Sequence, residues 1–352
     1  MTSSIRLTRR TFAAVAATLA SIVALSGCAG ASPSGDASVG AGTASGAALL
    51  PPAEGSIEYP LTLETPFGET VLEERPERIA IVTASTVDTD ALIALGGSPV
   101  FAPSTVERNL WLEPSTLSGI ETLWESEAQA EVSIEKVAAA DPDLIVSLYA
   151  YDSFDQGRFD QLSTIAPVLY AAADTLSWQQ MTRQLGETLD LSGAADEVVA
   201  SAEQTIADTR AAHPEFEGRT AAHVIVYEEE WGTAYVSAPG TDTAALFEEL
   251  GFSLPASAER FADDDLVSPE LIGLIDADFL LVSTFDEGTE DYMVDSALFQ
   301  AVPAVAEGRA VFNPGDQETG INSFAWGLNV QSALSVPWLI EQLAAFGTEA
   351  IG

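Results

Sequence analysis

The chain has 352 residues, 47% of them apolar, with 13 basic against 54 acidic side chains and a formal net charge of -41. The length suits one large domain or two ordinary ones, with enough apolar residues to bury real cores. The charge excludes nucleic acid as a partner, because phosphate neutralisation needs clustered Lys and Arg, and it opposes adsorption to an anionic membrane surface.

The N-terminus reads as a targeting segment rather than fold. Arg6, Arg9 and Arg10 form a basic region, and Phe12 to Leu25 is an apolar run too short for an ordinary membrane span. It ends in Leu25-Ser26-Gly27-Cys28, which resembles a bacterial lipobox. The resemblance implies a signal peptide over residues 1–27, cleavage before Cys28, and diacylation of the Cys28 sulfur. Twin-arginine and Sec export both fit Thr8-Arg9-Arg10-Thr11-Phe12. Cys28 is the one cysteine, which excludes a disulfide framework. Residues 28–55 are rich in Ala, Gly, Ser and Pro and read as a flexible tether.

The folded part opens with alternation over Ile57–Val71 around a turn at Pro66-Phe67-Gly68. Ile79–Thr83 is a continuous apolar run typical of a buried parallel strand. A helix over Asp88–Leu95 stops at Gly96-Gly97, and Pro99-Val100-Phe101 is a further short strand. Trp178–Leu189 reads as a helix stopped near Ser192-Gly193. Ala194–Ala212 is the longest helical pattern, free of Pro and Gly. Strand–helix alternation then restarts: a strand at Ala221–Tyr227, a helix at Thr243–Leu250, a strand at Ala310–Phe312 and a closing helix over Ser332–Phe346. The expectation is an α/β protein of two Rossmann-like lobes with central sheets, residues 56–192 and 216–352, joined by one long rigid helix over 193–215.

One unit occurs twice. SIEKVAAADPDLIV, residues 133–146, returns as SPELIGLIDADFLL, residues 268–281. Ser133 matches Ser268, Glu135 matches Glu270, and Asp141 and Asp143 match Asp276 and Asp278. Each serine can cap a helix, and each glutamate sits in a first turn where it complements the helix dipole.

These units, the lipobox, Pro76-Glu-Arg78-Ile, Leu95-Gly-Gly-Ser-Pro-Val100, Ile165-Ala-Pro-Val168 and Val302-Pro-Ala-Val-Ala-Glu-Gly-Arg309 together resemble the iron–siderophore and cobalamin class of bacterial ABC-transporter substrate-binding proteins. The match runs from about residue 57 to the end. The resemblance implies a two-lobed, monomeric, lipid-anchored protein on the outer face of the cell membrane, with ligand in the interlobe cleft. It implies that Glu135 and Glu270 dock onto arginines of the permease, which works with its ATPase.

Cleft residues belong on loops after the strands of each lobe. The candidates are Thr86, Arg108, Trp111, Trp124, Tyr149, Tyr151 and Arg158 in the first lobe. Those in the second are Trp231, Tyr235, Phe285, Tyr292, Asn322, Phe324 and Trp326. Each aromatic is equally compatible with ordinary core packing. With only His213 and His223, a histidine-based metal site is not expected, and iron would arrive already chelated, with no resident cofactor. The chain after Cys28 processing keeps 10 basic and 54 acidic residues, near -44, which favours a neutral or cationic hydroxamate chelate over an anionic catecholate. Haem and cobalamin stay open as ligands, and a ligand-sensing lipoprotein without transport is the other non-enzymatic reading. No G-x-S-x-G, no G-x-x-x-x-G-K and no triad histidine point to catalysis, so no catalytic residue is expected.

Overall fold

The computed structural model describes residues 48–126, 131–151, 153–284, 291–315 and 322–352. The leader, Cys28 and most of the expected tether lie outside the described residues. The end of that expected tether does not: Leu50 is buried, and the Pro51 carbonyl accepts from the Arg75 guanidinium at 2.9 Å.

The chain first forms a hairpin of β1 (Leu61–Thr65) and β2 (Gly68–Leu72), with Leu61 opposite Leu72 and Thr65 opposite Gly68. Gly68 has φ +136, a turn conformation that glycine adopts without strain. β3 (Ile79–Ile81) is wholly buried. Phe101 bridges to Ala80 beside it, and the chain runs on into β4 (Ala102–Pro103), which pairs with β5 (Leu123–Trp124). The expected strand at 99–101 is therefore displaced toward 102–103, and Pro103, lacking an N–H, limits the ladder. β6 (Leu144–Ala150) and β7 (Val168–Ala172) complete a parallel sheet of order β3-β6-β7. The second sheet has order β11-β10-β8-β9, from β8 (Ala221–Val226), β9 (Thr233–Tyr235), β10 (Phe279–Thr284) and β11 (Ala310–Asn313). It is parallel except for the edge strand β9.

Strands buried on both faces send alternate residues to opposite cores. Leu144, Val146 and Leu148 face one core and Ile145 the other, which Ala150 joins past a register shift after Ser147. In the second sheet Phe279 and Leu281 join that same first core, whereas Leu280 and Val282 enter a third. One core is thus shared by both sheets. Ala195, Val199, Ala202 and Ile206 of the long helix Ser192–Ala212 run through it. That helix spans about 31 Å at 1.5 Å per residue.

The linker helix starts earlier than the sequence suggested. The preceding helix, Trp178–Thr188, ends at a break where Asp190 has φ +54. Ser192-Gly193 then opens the next helix instead of closing the last. The Glu54 carboxylate accepts from the N–H groups of Gly193 (2.7 Å) and Ala194 (2.9 Å), taking up free donors of the first turn. Asp190 returns the bond, accepting from the N–H groups of Gly55, Ser56 and Ile57.

The repeated unit diverges in its helix. The first copy is an α-helix, Ile134–Ala139, with Ser133 Oγ accepting from Lys136 N–H. The second is a 3-10 helix, Pro269–Ile275, and Ser268 makes no side-chain cap; Leu271 N–H bonds the Ser268 carbonyl instead. The aspartates keep one common task. Asp143, opening β6, accepts from the Glu77 and Arg78 N–H groups leading into β3. Asp278, opening β10, accepts from the Thr220 N–H leading into β8. Each fastens the N-terminal end of the neighbouring parallel strand.

A buried carboxylate pins the two halves together. Asp90, in the helix Val87–Ala94, accepts from Ser332 Oγ (2.7 Å), Trp111 Nε1 (2.8 Å) and Asn109 Nδ2 (3.2 Å). Ser332 lies just before the closing helix Ser335–Ile351. Burial pushes the Asp90 carboxyl up to about 7, against these hydrogen bonds, and burial likewise pushes Asp88 up to about 6. The folded state thus holds protons that the unfolded chain, titrating near 3.9, has lost. The contribution of these two groups to stability is greatest below about pH 4 and is lost as pH rises through 6 to 7. Asp90→Asn can preserve the network if Asn109 turns its carbonyl inward. The melting temperature of the wild type should therefore fall between pH 5 and 8, and that of Asp90→Asn should fall less steeply. Parallel pH profiles for the two proteins would refute this account of Asp90.

Candidate functional site

A cavity of about 730 Å³ opens between the end of β6, the turn after β7 and the segment that follows β9. Tyr149, Asp174, Trp178 and Met181 line it from the first half, and Tyr235, Asp242, Phe261 and Asp263–Asp265 from the second. Two helices begin at its wall, Trp178–Thr188 and Asp242–Glu249. Their first turns are already capped, by Ser177 accepting from Gln180 N–H and Thr241 accepting from Ala244 N–H. The Tyr149 hydroxyl donates to Asp174 Oδ1 at 2.7 Å; burial and then this carboxylate push its pKa upward. Asp242 is raised as well, by burial and by the charge of Asp174. No Lys or Arg stands among the described residues lining the cavity.

Tyr149 meets Tyr151 edge-on, with ring centroids 5.7 Å apart. Tyr151 leads into a second, narrower cavity of about 100 Å³, also lined by Thr86, Arg108, Ser323 and Trp326. This cavity too draws on both halves, which touch where Ser323 Oγ donates to the Arg108 carbonyl at 2.6 Å. Of the residues singled out from sequence, Tyr149 and Tyr235 thus share the large cavity, and Thr86, Arg108, Tyr151 and Trp326 the narrow one.

The remaining candidates lie elsewhere. Arg158 lines a small void beside Tyr151, and its guanidinium donates to the Val132 carbonyl. The Trp111 indole is committed to Asp90 and packs near Trp338. Trp124 is buried, donating to the Ile81 carbonyl and stacked on Phe101, and Phe324 is also in a core. Asn322 is buried with its amide fully used: it donates to the Thr284 and Asn313 carbonyls and caps the helix Ser323–Asn329 by accepting from Ala325 N–H. Trp231, 70% exposed, and Tyr292 line a separate groove with Leu266 and Leu298. Phe285 lies outside the described residues.

Sequence reasoning passed over Asp174 and Asp242, because carboxylates in so acidic a chain read as solvated surface. A local signal existed: Asp174-Thr-Leu-Ser177 directly follows a buried strand, where cleft loops are expected. The two histidines play no part in the cavity. His223 is buried, its Nε2 2.9 Å from Ser283 Oγ, and burial pushes it down to about 3. His213 lies 2.9 Å from Glu215 near the surface. The described residues contain no group of three or more His, Cys, Asp or Glu able to hold a metal ion.

Glu135 and Glu270 are both exposed, each at the second position of the short helix that precedes a central strand, β6 or β10. Neither forms an ion pair among the described residues. Glu135 accepts from Ser133 Oγ at 2.8 Å.

Residues 79–316 match the family model described as periplasmic binding protein. The ferric enterobactin-binding periplasmic protein FepB of Escherichia coli is 27% identical over 268 residues, covering 70% of this chain and 82% of that protein. The Bacillus subtilis protein named "Probable siderophore-binding lipoprotein YfiY" is 25% identical over 256 residues, covering 67% of this chain and 74% of its own. Among solved structures, FhuD2 from Staphylococcus aureus with bound ferrioxamine B superposes with a TM-score of 0.59 at 16% identity, over 78% of this chain and 99% of that one. The match across most of the folded body, on two sheets joined by one long helix, makes this chain a member of the periplasmic binding protein family.

Proposed function

We propose that this chain is the substrate-binding component of an ABC importer and captures an iron(III)–siderophore in the cavity shared by its two halves. The observation that carries this reading is the cavity of about 730 Å³ whose walls come from both sheets, a size that suits a compact chelate. Aromatic faces of Tyr149, Trp178 and Phe261 suit the organic shell of such a ligand. The names of the Escherichia coli, Bacillus subtilis and Staphylococcus aureus proteins support the siderophore class. The absence of basic residues on the described walls favours a neutral or cationic hydroxamate, as does the ferrioxamine B carried by the staphylococcal protein. The FepB relative supports ferric enterobactin as the second reading. The protein acts as a monomer without catalysis, held by diacylated Cys28 on the outer face of the membrane, a placement the YfiY name supports.

Glu135 and Glu270 serve as two anionic pegs for a two-fold permease. Both are exposed, and neither forms an ion pair among the described residues.

The first expected outcome concerns binding. Trp178 and Trp326 line the two cavities, so tryptophan fluorescence of the soluble chain from Ala29 should quench saturably with ferric hydroxamates at submicromolar concentration. A panel of ferric catecholates, ferric citrate, haem and cobalamin should bind more weakly; silence across the whole panel from folded protein would sink the reading. The second concerns delivery: Glu135→Ala with Glu270→Ala should abolish iron uptake in cells while chelate affinity in vitro stays within about twofold. Normal transport by the double variant would remove the docking role. The third concerns the anchor: Cys28→Ala should lose palmitate labelling, whereas labelling retained by the variant would exclude lipidation at Cys28.

A further inference from the structure

We propose that the apolar groove beside Trp231 is a further docking point for the permease, one that seats a bulky apolar side chain carried next to a basic one. The proposal rests on the importer reading above and adds a contact that the two glutamates do not supply.

The groove, about 440 Å³, lies on the second half, between the turn joining β8 to β9, the segment over residues 266–269 and the helix Ala297–Gln300. Trp231 is 70% exposed there, Leu298 54% and Leu266 49%. Isolated apolar side chains on a surface are ordinary, but three large ones around one concavity mark a contact surface. The Trp231 turn is held by its own backbone. The N–H groups of Trp231 and Gly232 donate to the Glu228 carbonyl at 2.8 and 2.9 Å, and Tyr227 N–H donates to the Gly232 carbonyl at 2.9 Å. Gly232, at φ +78, makes the turn without strain. The floor is ordered as well, since Thr233 Oγ1 lies 3.2 Å from the Tyr292 hydroxyl. A partner therefore meets a preformed surface with an aromatic anchor, and seating on it costs little ordering entropy.

The rim sets what the occupant must carry. Glu229 and Glu230 are exposed at one side, and exposed Glu270 directly follows Ser268 and Pro269, which line another. None of these glutamates forms an ion pair among the described residues, and no Lys or Arg lines the groove among them. The complement is an apolar side chain flanked by a cation. A second copy of this chain, with 10 basic and 54 acidic residues after Cys28 processing, would bring like charge. Residues 29–47 of the chain itself contain no Lys, Arg or aromatic residue. The permease meets both conditions of place. Glu270, the peg assigned to it above, adjoins the groove. The groove also shares a wall with the large cavity: residues 265–267 run beside β9, with Tyr235 N–H donating to the Asp265 carbonyl and Val267 N–H to the Thr233 carbonyl. Asp265 lines the cavity and Leu266 the groove. A permease positioned to receive the contents of the cavity therefore faces the groove too.

The test uses the full lipid-anchored chain in its own cells. A photoreactive benzoylphenylalanine replaces Trp231 in one variant and Ala138 in another; Ala138 is exposed on the helix that carries Glu135. Light should couple both variants to a membrane-spanning transporter subunit, with the link from position 231 on an apolar residue beside a Lys or Arg. In parallel, Trp231→Ser with Leu298→Ser should lower iron uptake about tenfold, while chelate affinity in vitro stays within about twofold and the melting temperature holds. Serine leaves the net charge unchanged, so the loss reports the apolar contact rather than the field. Trp231→Phe should keep uptake near the wild-type level. Coupling to the transporter at 138 but not at 231, or undiminished uptake by the serine pair, overturns the docking point and leaves the importer reading standing. Coupling at 231 to a second copy of this chain makes the groove a self-association surface and overturns the proposal. A serine pair that loses chelate affinity assigns the groove to the ligand and overturns it as well. No coupling to a transporter at either position overturns the proposal together with the permease reading on which it rests.

Discussion

The constraint on which the rest of the structure depends is a single apolar core shared by two sheets. Leu144, Val146 and Leu148 contribute from one, Phe279 and Leu281 from the other, and the linker helix threads between them. Dense packing of that kind transmits force rather than absorbing it. The Asp90 network adds direction to the apolar contact, because its three hydrogen bonds fix which groups of the two halves face each other. The halves are therefore fastened along one side, and the space between the strand ends is left for a ligand.

The parallel topology decides where that space can be. At the N-terminal ends of the central strands, Asp143 and Asp278 tie each strand to its neighbour through backbone N–H groups. The opposite ends carry Tyr149, Tyr151 and the loops beyond, which form the cavities. This separates the roles inside the repeated unit. Asp143 and Asp278 are structural equivalents in the two copies. Its serines are not equivalent, since only Ser133 caps with its side chain. Its glutamates are exposed in both.

Charge gives the site its character. Carboxylates scattered over a surface are solvated and screened, and they say little about ligands. Asp174 and Asp242 differ because the fold brings them, from positions 68 residues apart, to one concave wall, where burial and then the charge of Asp174 raise Asp242. The same acidity that reads from composition as a generic surface becomes a specific property of one cavity.

The sequence alone determined the α/β class, the long helix and the strand at the heart of each repeat, because apolar runs and helical periodicity are local signals. Membership of a binding-protein family was legible from the order of short motifs, none of them decisive singly. The start of the linker helix was not legible, because its cap is Glu54, supplied from about 140 residues away. Nor was the conversion of the second repeat helix to 3-10 geometry. The site candidates divided in the same way. Tyr149, Tyr151 and Trp326 reached cavities, whereas Trp111 and Asn322 became fasteners, since a side chain's partners depend on residues up to 242 positions distant, as in the bond from Ser332 to Asp90. Local chemistry fixes which groups a residue can bond, and only the folded chain decides which of those groups come within reach.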